Sequence, residues 1–187
     1  MHSSRVLLVT SMESRVQRLE DRFAINDLVV RYAVLLDDMM FDDVGLLFTE
    51  DGVFASSNSV TTGRQAIIEN FRVKHAPFPM TLHDPHGVAV QFIDETHARG
   101  TVIGYAELAN EQHTIVTHIR YQDDYRREEG VWRFAQRLVL STYAMTVDDF
   151  VNGRAGFAQR KIWPNRPAGD AELPDKAQMY PGYVERP

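Results

Sequence analysis

The sequence contains no cysteine. Disulfides, thiol nucleophiles and thiolate metal sites are therefore excluded, and a reducing, cytoplasmic location is the expectation. It also lacks an excess of positive charge: 20 Lys and Arg stand against 26 Asp and Glu, a net charge of −6. Sequence-independent nucleic-acid binding needs a positive surface, so nucleic acid is not an expected partner. Long apolar runs are missing as well. After Met1-His2-Ser3-Ser4-Arg5 only Val6 to Val9 is apolar, shorter than the core of a signal peptide, and no window approaches a membrane span. Neither a secretion signal nor a membrane partner is expected. Met12 is an alternative start, so residues 1–12 read as an N-terminal extension. Finally, there is no Gly-x-Ser-x-Gly elbow, no phosphate-cradling glycine loop and no dinucleotide fingerprint. Gly100-Thr101-Val102-Ile103-Gly104 lacks the helix that such a loop would open.

What is present suits one domain of 187 residues. Ten Phe, seven Tyr and two Trp supply material for a sizeable core. From Glu13 to about Met39 the apolar residues Ile25, Leu28, Val29, Tyr32, Leu35, Leu36 and Met39 recur at the helical period. Leu28 to Leu36 is apolar nearly all round, which predicts a deeply buried helix. A short helix is expected over Phe41–Phe48, a turn at Thr49-Glu50-Asp51-Gly52, and a strand pair from Val53 to Val60 turning at Ser56-Ser57-Asn58. A third helix is expected over Gly63–Lys74, with Ala66, Ile67 and Phe71 inward.

After Pro77 and Pro79 the period becomes two. Strands are expected around Val88–Phe92, Arg99–Leu108, Thr114–Tyr125 and Val131–Tyr143, the last two joined by a hairpin at Glu128-Glu129-Gly130. Helices first and antiparallel strands after is an α+β plan. The expected form is a cone-shaped barrel: a strongly bent, mostly antiparallel sheet closed by the N-terminal helices over residues 13–150, with an apolar pocket inside. Residues 151–187, rich in Pro, Gly and charge, read as a tail wrapping the domain or a neighbouring subunit. With an exposed outer sheet face, that tail suggests a homo-oligomer, a trimer or dimer.

Among residues able to do chemistry, Asp37 falls between Val30, Ala33 and Val34 on the helical wheel, whereas Asp38 falls beside Asp27 and Arg31. Asp37 is thus the carboxylate to be buried, and a buried carboxylate needs a partner. Backbone or a surface arginine would serve as well as a catalytic group. Tyr32 lies on the main apolar face, where a core tyrosine with a satisfied hydroxyl is the plainer reading. His83-Asp84-Pro85-His86 opens a strand after a proline-rich loop. Its two histidines fall on opposite strand faces with no third ligand in view, so no metal site is expected. His118 alternates with Arg120 and Gln122 on one strand face, while Tyr121 and Asp123 share the other. His97, beside a turn, reads as solvated.

The stretch Asp21-Arg22-Phe23-Ala24-Ile25-Asn26-Asp27-Leu28-Val29-Val30-Arg31-Tyr32, then Asp37, then Leu46-Leu47-Phe48-Thr49-Glu50-Asp51-Gly52-Val53-Phe54, resembles the opening of SnoaL-like proteins of the nuclear transport factor 2-like superfamily. Gly63-Arg64-Gln65-Ala66-Ile67 and Gly130-Val131-Trp132-Arg133-Phe134-Ala135-Gln136-Arg137 are similar to the family's third helix start and final strand. Within the superfamily the resemblance leans toward scytalone dehydratase, bile acid 7α-dehydratase and hexachlorocyclohexane dehydrochlorinase. It implies a dyad of Asp37 and His83, with Tyr32 as a cavity tyrosine. It also implies His118 or Arg120 as a second cavity group and Arg137 as a cavity arginine. Phe54 and Tyr105 complete the candidate substrate-binding set. The acidic residue of the bile acid enzyme's next strand falls near Ala106, and its late arginine at Ser141, so a steroid substrate is not implied.

The implied activity is a cofactor-independent lyase, dehydratase-like, acting on a small hydrophobic hydroxylated molecule. An isomerase or cyclase of a polyketide- or steroid-like substrate would use the same pocket but return the proton. A non-catalytic ligand-binding protein would tie Asp37 to an arginine instead of His83.

Overall fold

The structure is a computed structural model and describes residues 11–56, 59–153, 159–164, 167–173 and 176. Most of the N-terminal extension, two residues of the Ser56-Ser57-Asn58 turn and much of the C-terminal tail lie outside the described residues. The chain runs α1 (Met12–Asp37), α2 (Phe41–Leu46), β1 (Phe48–Ser56), β2 (Ser59–Thr62), α3 (Arg64–His75), β3 (Met80–Phe92), β4 (His97–Ala109), β5 (Thr114–Glu128), β6 (Val131–Thr146) and α4 (Val147–Val151).

α1 begins where the Ser11 hydroxyl accepts a hydrogen bond from Ser14 N at 3.1 Å, satisfying one of the free N–H groups of the first turn. Its inward face, Ile25, Leu28, Val29, Tyr32 and Leu36, is buried against the sheet. Asp21 fastens this helix to β6 by accepting from Trp132 Nε1 at 2.9 Å. The third helix follows its expectation except at Ala66, which is exposed. Ile67, Ile68, Phe71 and His75 are the buried residues.

The strands form one sheet in the order β2-β1-β6-β5-β4-β3. Four of its ladders are antiparallel, and β1 runs parallel to β6. The expected closure into a cone-shaped barrel is overturned. The sheet is open, mixed in direction and not strongly curved, with the helices packed against it. Closure would need the two edge strands to pair at a consistent stagger. Here the edges are β2, only four residues long, and β3, thirteen residues long, and they stand at opposite ends of the sheet.

Two further expectations change. Thr49-Glu50-Asp51-Gly52 is part of β1, which absorbs the irregularity as a register shift between Phe48 and Val53. β3 starts at Met80, well before Val88, and passes through Pro85. Proline is tolerated there because β3 is an edge strand and bulges between Pro85 and Gly87. The β5–β6 hairpin turns through Glu129 (φ 51°) and Gly130 (φ 82°), the two positive values a type I′ turn demands. Past the end of the β1 ladder, Lys161 pairs with Ala144 of β6, and the Glu172 carboxylate accepts from Ser141 N at 2.7 Å. Among the described residues no helix is long and apolar enough to cross a membrane.

Candidate active site

Asp37 is the last residue of α1, and Asp38 beyond it is exposed. A helix C-terminus is the unfavourable end for a carboxylate, so Asp37 depends on donors from outside the helix. β3 supplies three. Thr81 Oγ1 donates to Oδ1 at 2.9 Å, His83 N donates to Oδ2 at 2.8 Å, and His83 Nδ1 donates to Oδ1 at 2.7 Å. Burial alone would raise the Asp37 carboxyl. The His83 ring and main-chain bonds, the His83 charge and the Thr81 hydroxyl outweigh it and hold the group below its ordinary 3.8. An ionised carboxylate only accepts, so Nδ1 carries a proton toward Asp37 and Nε2 is the ring nitrogen left free of this bond.

His83 lines a small cavity between α1 and the sheet, with Val29, Tyr32, Ile119, Tyr121 and Arg137 among the other walls. Tyr32 is buried and ringed by Phe48, Phe71, Tyr121 and Phe134 at 5.7 to 6.3 Å between centroids, all tilted toward edge-on. Burial pushes its hydroxyl well above 10, with Tyr121 adding to the effect and Arg137 opposing it. Tyr121, also buried, is pushed up to about 12. These phenols stay protonated across the physiological range and so are able to donate hydrogen bonds.

Arg137 is fully buried. Its Nε and Nη2 donate to Asp123 at 2.9 and 2.8 Å, and Tyr125 donates to the same carboxylate at 2.8 Å. The guanidinium lies 4.2, 4.1 and 4.0 Å from the ring centroids of Tyr32, Tyr121 and Phe134. Its remaining nitrogen, Nη1, is buried without a partner. A buried donor left open is costly, and here it belongs to a side chain that lines the cavity. The free volume is about 10 Å³, room for one water.

The structure thus brings together Asp37, His83, Tyr32 and Arg137. Tyr105 borders the cavity, but its hydroxyl donates to Glu107 at 3.1 Å. Phe54 is core, packed edge-on against Phe71 at 4.8 Å. His118 and Arg120 alternate with the cavity residues Ile119 and Tyr121, so they occupy the opposite sheet face. There His118 pairs with Thr142 Oγ1 at 3.1 Å. His86 is tied to neither Asp37 nor His83, and its partner is Asp84 at 3.6 Å. Among the described residues no group of three or more His, Asp or Glu could hold a metal ion.

Four residues escaped the sequence reading. Thr81 shares a strand face with His83 and was legible from the two-residue period. Asp123 and Tyr121 were placed on one face without a partner for either. His75, the last residue of α3, is buried with Nδ1 on Phe71 O at 2.9 Å and its ring 6.3 Å from that of His83. Nothing in the local pattern set it apart from the other histidines.

The SnoaL-like domain model matches residues 17–138, and the chain belongs to this family. A search of curated proteins returns no match. Among solved structures, the chain is similar to a provisionally assigned scytalone dehydratase from Novosphingobium aromaticivorans, at 21% identity and a TM-score of 0.68 over 83% of this chain and 96% of that one. It is similar to the type 3 hexachlorocyclohexane dehydrochlorinase from Novosphingobium barchaimii, at 18% identity and a TM-score of 0.67 over 72% and 94%. A provisionally assigned aromatic ring hydroxylase from Novosphingobium aromaticivorans aligns at 26% identity and a TM-score of 0.64 over 70% and 96%. Likeness at 18 and 21% identity carries the fold, and one fold hosts many activities.

Proposed function

We propose that the protein is a cofactor-independent lyase that removes water from a small hydrophobic hydroxy-carbonyl compound, with His83 as the base. The observation that carries the reading is the Asp37 Oδ1 to His83 Nδ1 bond of 2.7 Å beside a cavity that Tyr32 and Arg137 also line. A ligand-binding protein with Asp37 tied to an arginine would have a different arrangement, since the arginine here is held by Asp123.

In this reading His83 Nε2 takes the proton from the carbon next to the carbonyl. Asp37 holds the tautomer and stabilises the imidazolium as it forms. Tyr32 and Arg137 Nη1 donate hydrogen bonds to the oxygen that gathers negative charge. Neither can supply the proton that the departing hydroxyl needs, because both are held protonated far above neutrality. The imidazolium returns it. The C–H and C–O bonds break, a C=C bond forms, and water leaves with the proton His83 first took. A base placed in this way contributes about 10² to 10⁴ in rate. The substrate must part the aromatic wall to enter, because the cavity as it stands admits about one water.

The test is a screen of β-hydroxy ketones and acids by mass spectrometry. The expected result is a substrate that loses 18 mass units, the mass of one water, on incubation with the wild type. His83→Ala and Asp37→Asn should remain folded with turnover down at least a hundredfold. Undiminished turnover in His83→Ala removes the imidazole from the mechanism. A product of unchanged mass points to isomerisation instead.

A further inference from the structure

The face of α1 turned away from the core is apolar along nearly its whole length. Met12, Val16, Leu19, Phe23, Val30 and Val34 are 45 to 69% exposed. At 100° per residue they fall in one narrow stripe, opposite the buried Asp21, Ile25, Leu28 and Tyr32. The spacing of the stripe is that of a heptad. Val16, Phe23 and Val30 occupy one core position, and Met12, Leu19 and Asn26 the other. Valine at two of the three first positions, with Met12 and Leu19 at the second, suits two parallel strands.

The first part of the helix is held to the domain mainly by Arg18, 4.2 Å over the Phe92 ring, and by Gln17, which donates to Asp21. Every residue from Ser11 to Glu20 is exposed, so this part of the 26-residue helix buries little apolar surface within its own domain.

We propose that α1 pairs with α1 of a second copy of this chain, parallel and in register, as a two-stranded coiled coil between the two domains. The flanking charges choose the occupant and its direction. One flank of the stripe carries Glu13, Glu20 and Asp27, and the other carries Arg15 and Arg22. In a parallel pair Arg15 meets the partner's Glu20, and Arg22 meets the partner's Asp27. An antiparallel pair would set acid against acid and base against base. Within one chain, and among the described residues, none of these four side chains has an ion-pair partner. Arg22 rests 5.4 Å over Phe92, at the edge of the stripe. Covering the stripe removes on the order of 600 Å² per copy, about 1,200 Å² for the pair, which reaches the lower limit of a stable interface.

The absence of cysteine makes a direct test available. Leu19→Cys in the full-length chain is oxidised at low micromolar concentration and compared with Val73→Cys, on the exposed face of α3. A parallel, in-register pair sets the two thiols introduced by Leu19→Cys together, so a covalent dimer should form in that variant and not in Val73→Cys. Sedimentation should give a dimer for the wild type. Arg15→Glu with Arg22→Glu should weaken it at least tenfold, and adding Glu20→Arg with Asp27→Arg should restore it, with circular dichroism unchanged throughout. A monomer of 21.4 kDa at tens of micromolar, or no cross-link in Leu19→Cys, overturns the proposal. So does an oligomer indifferent to the charge reversals, since that oligomer would use another surface.

Discussion

Arg137 gives two of its nitrogens to Asp123, at 2.9 and 2.8 Å, and the pair is completely removed from solvent. Burial works against the guanidinium's charge, but the Asp123 carboxylate more than compensates, and the group is held above its ordinary range. Removing one partner of such a pair strands a charge in the core. Asp123→Ala should therefore cost roughly 3–5 kcal/mol, read from the urea midpoint. Asp123→Leu combined with Arg137→Met should recover most of that loss, because the penalty lies in the stranded charge and not in missing pair energy. If Asp123→Ala unfolds at the wild-type midpoint, the guanidinium has another counter-charge.

The separation of β3 from β4 beside His83 depends on Gly104. A Cβ there would lie 2.9 Å from Asp84 O and 3.3 Å from Pro85 Cα. Both are main-chain atoms, one and two residues beyond His83, and main chain yields at greater cost than a side-chain tip. Gly104→Ala should lower stability by about 1–3 kcal/mol and push β3 outward. The downfield Nδ1 proton resonance of His83 should shift or broaden in the variant. An unmoved resonance would mean that Thr81 and Asp37 hold His83 independently of the strand spacing.

Asp21 collects Trp132 Nε1 at 2.9 Å, Gln17 at 3.2 Å and Arg127 at 3.3 Å, and so ties α1 to the β5–β6 hairpin. Asp21→Ala leaves the buried indole N–H without an acceptor. The expected cost is about 1–3 kcal/mol, with hydrogen exchange accelerating first at the N-terminal half of α1. Uniform acceleration over the whole chain would show that the tie is not local.

How much of this was legible varies by element, and the reasons are physical. Asp37 was selected because Val30 and Val34 flank it, yet both valines are exposed. Asp37 is only partly buried, its side chain 24% exposed, and that partial cover comes from standing at the helix end, where β3 reaches it. His83 stood out only weakly as a histidine opening a strand and was raised by family likeness, since a proline two residues later obscured a long edge strand. The Asp123–Arg137 pairing was hidden by one residue. A regular hairpin through Glu129-Gly130 sets Gln122 opposite Arg137. The bulge between Asp124 and Tyr125 shifts the register so that Asp123 faces Arg137 instead. That bulge also places Arg137 on the same face as Phe134 three residues earlier, which strict alternation forbids. The open sheet was missed because a helices-then-strands order is common to open and closed forms. Only the four-residue length of β2 hinted at the difference.

Acid should destabilise the protein in two steps that separate by residue. His75 is held below its ordinary 6.5, chiefly by burial, with the nearby His83 and Lys74 adding to the effect and Phe71 O and Asp37 opposing it. The unfolded chain therefore binds a proton at this histidine before the folded one does. The stability it contributes is intact above pH 6.5 and drains away as the pH falls from there toward the lowered folded value. Half-exposed His118, lowered by burial and by His86 and Arg120, adds a smaller loss in the same window. Asp37 has its folded pKa below 3.8, so its contribution is intact above that value and is lost as the pH falls through the folded one. Melting temperatures from about pH 8 to about pH 3 should show both losses. His75→Gln, which can still donate to Phe71 O, should shrink the earlier step and leave the later one. Asp37→Asn should do the reverse. A His75→Gln profile superimposable on wild type would mean that His75 takes up its proton in the folded state as readily as in water, and that its burial is not the cause of the first loss.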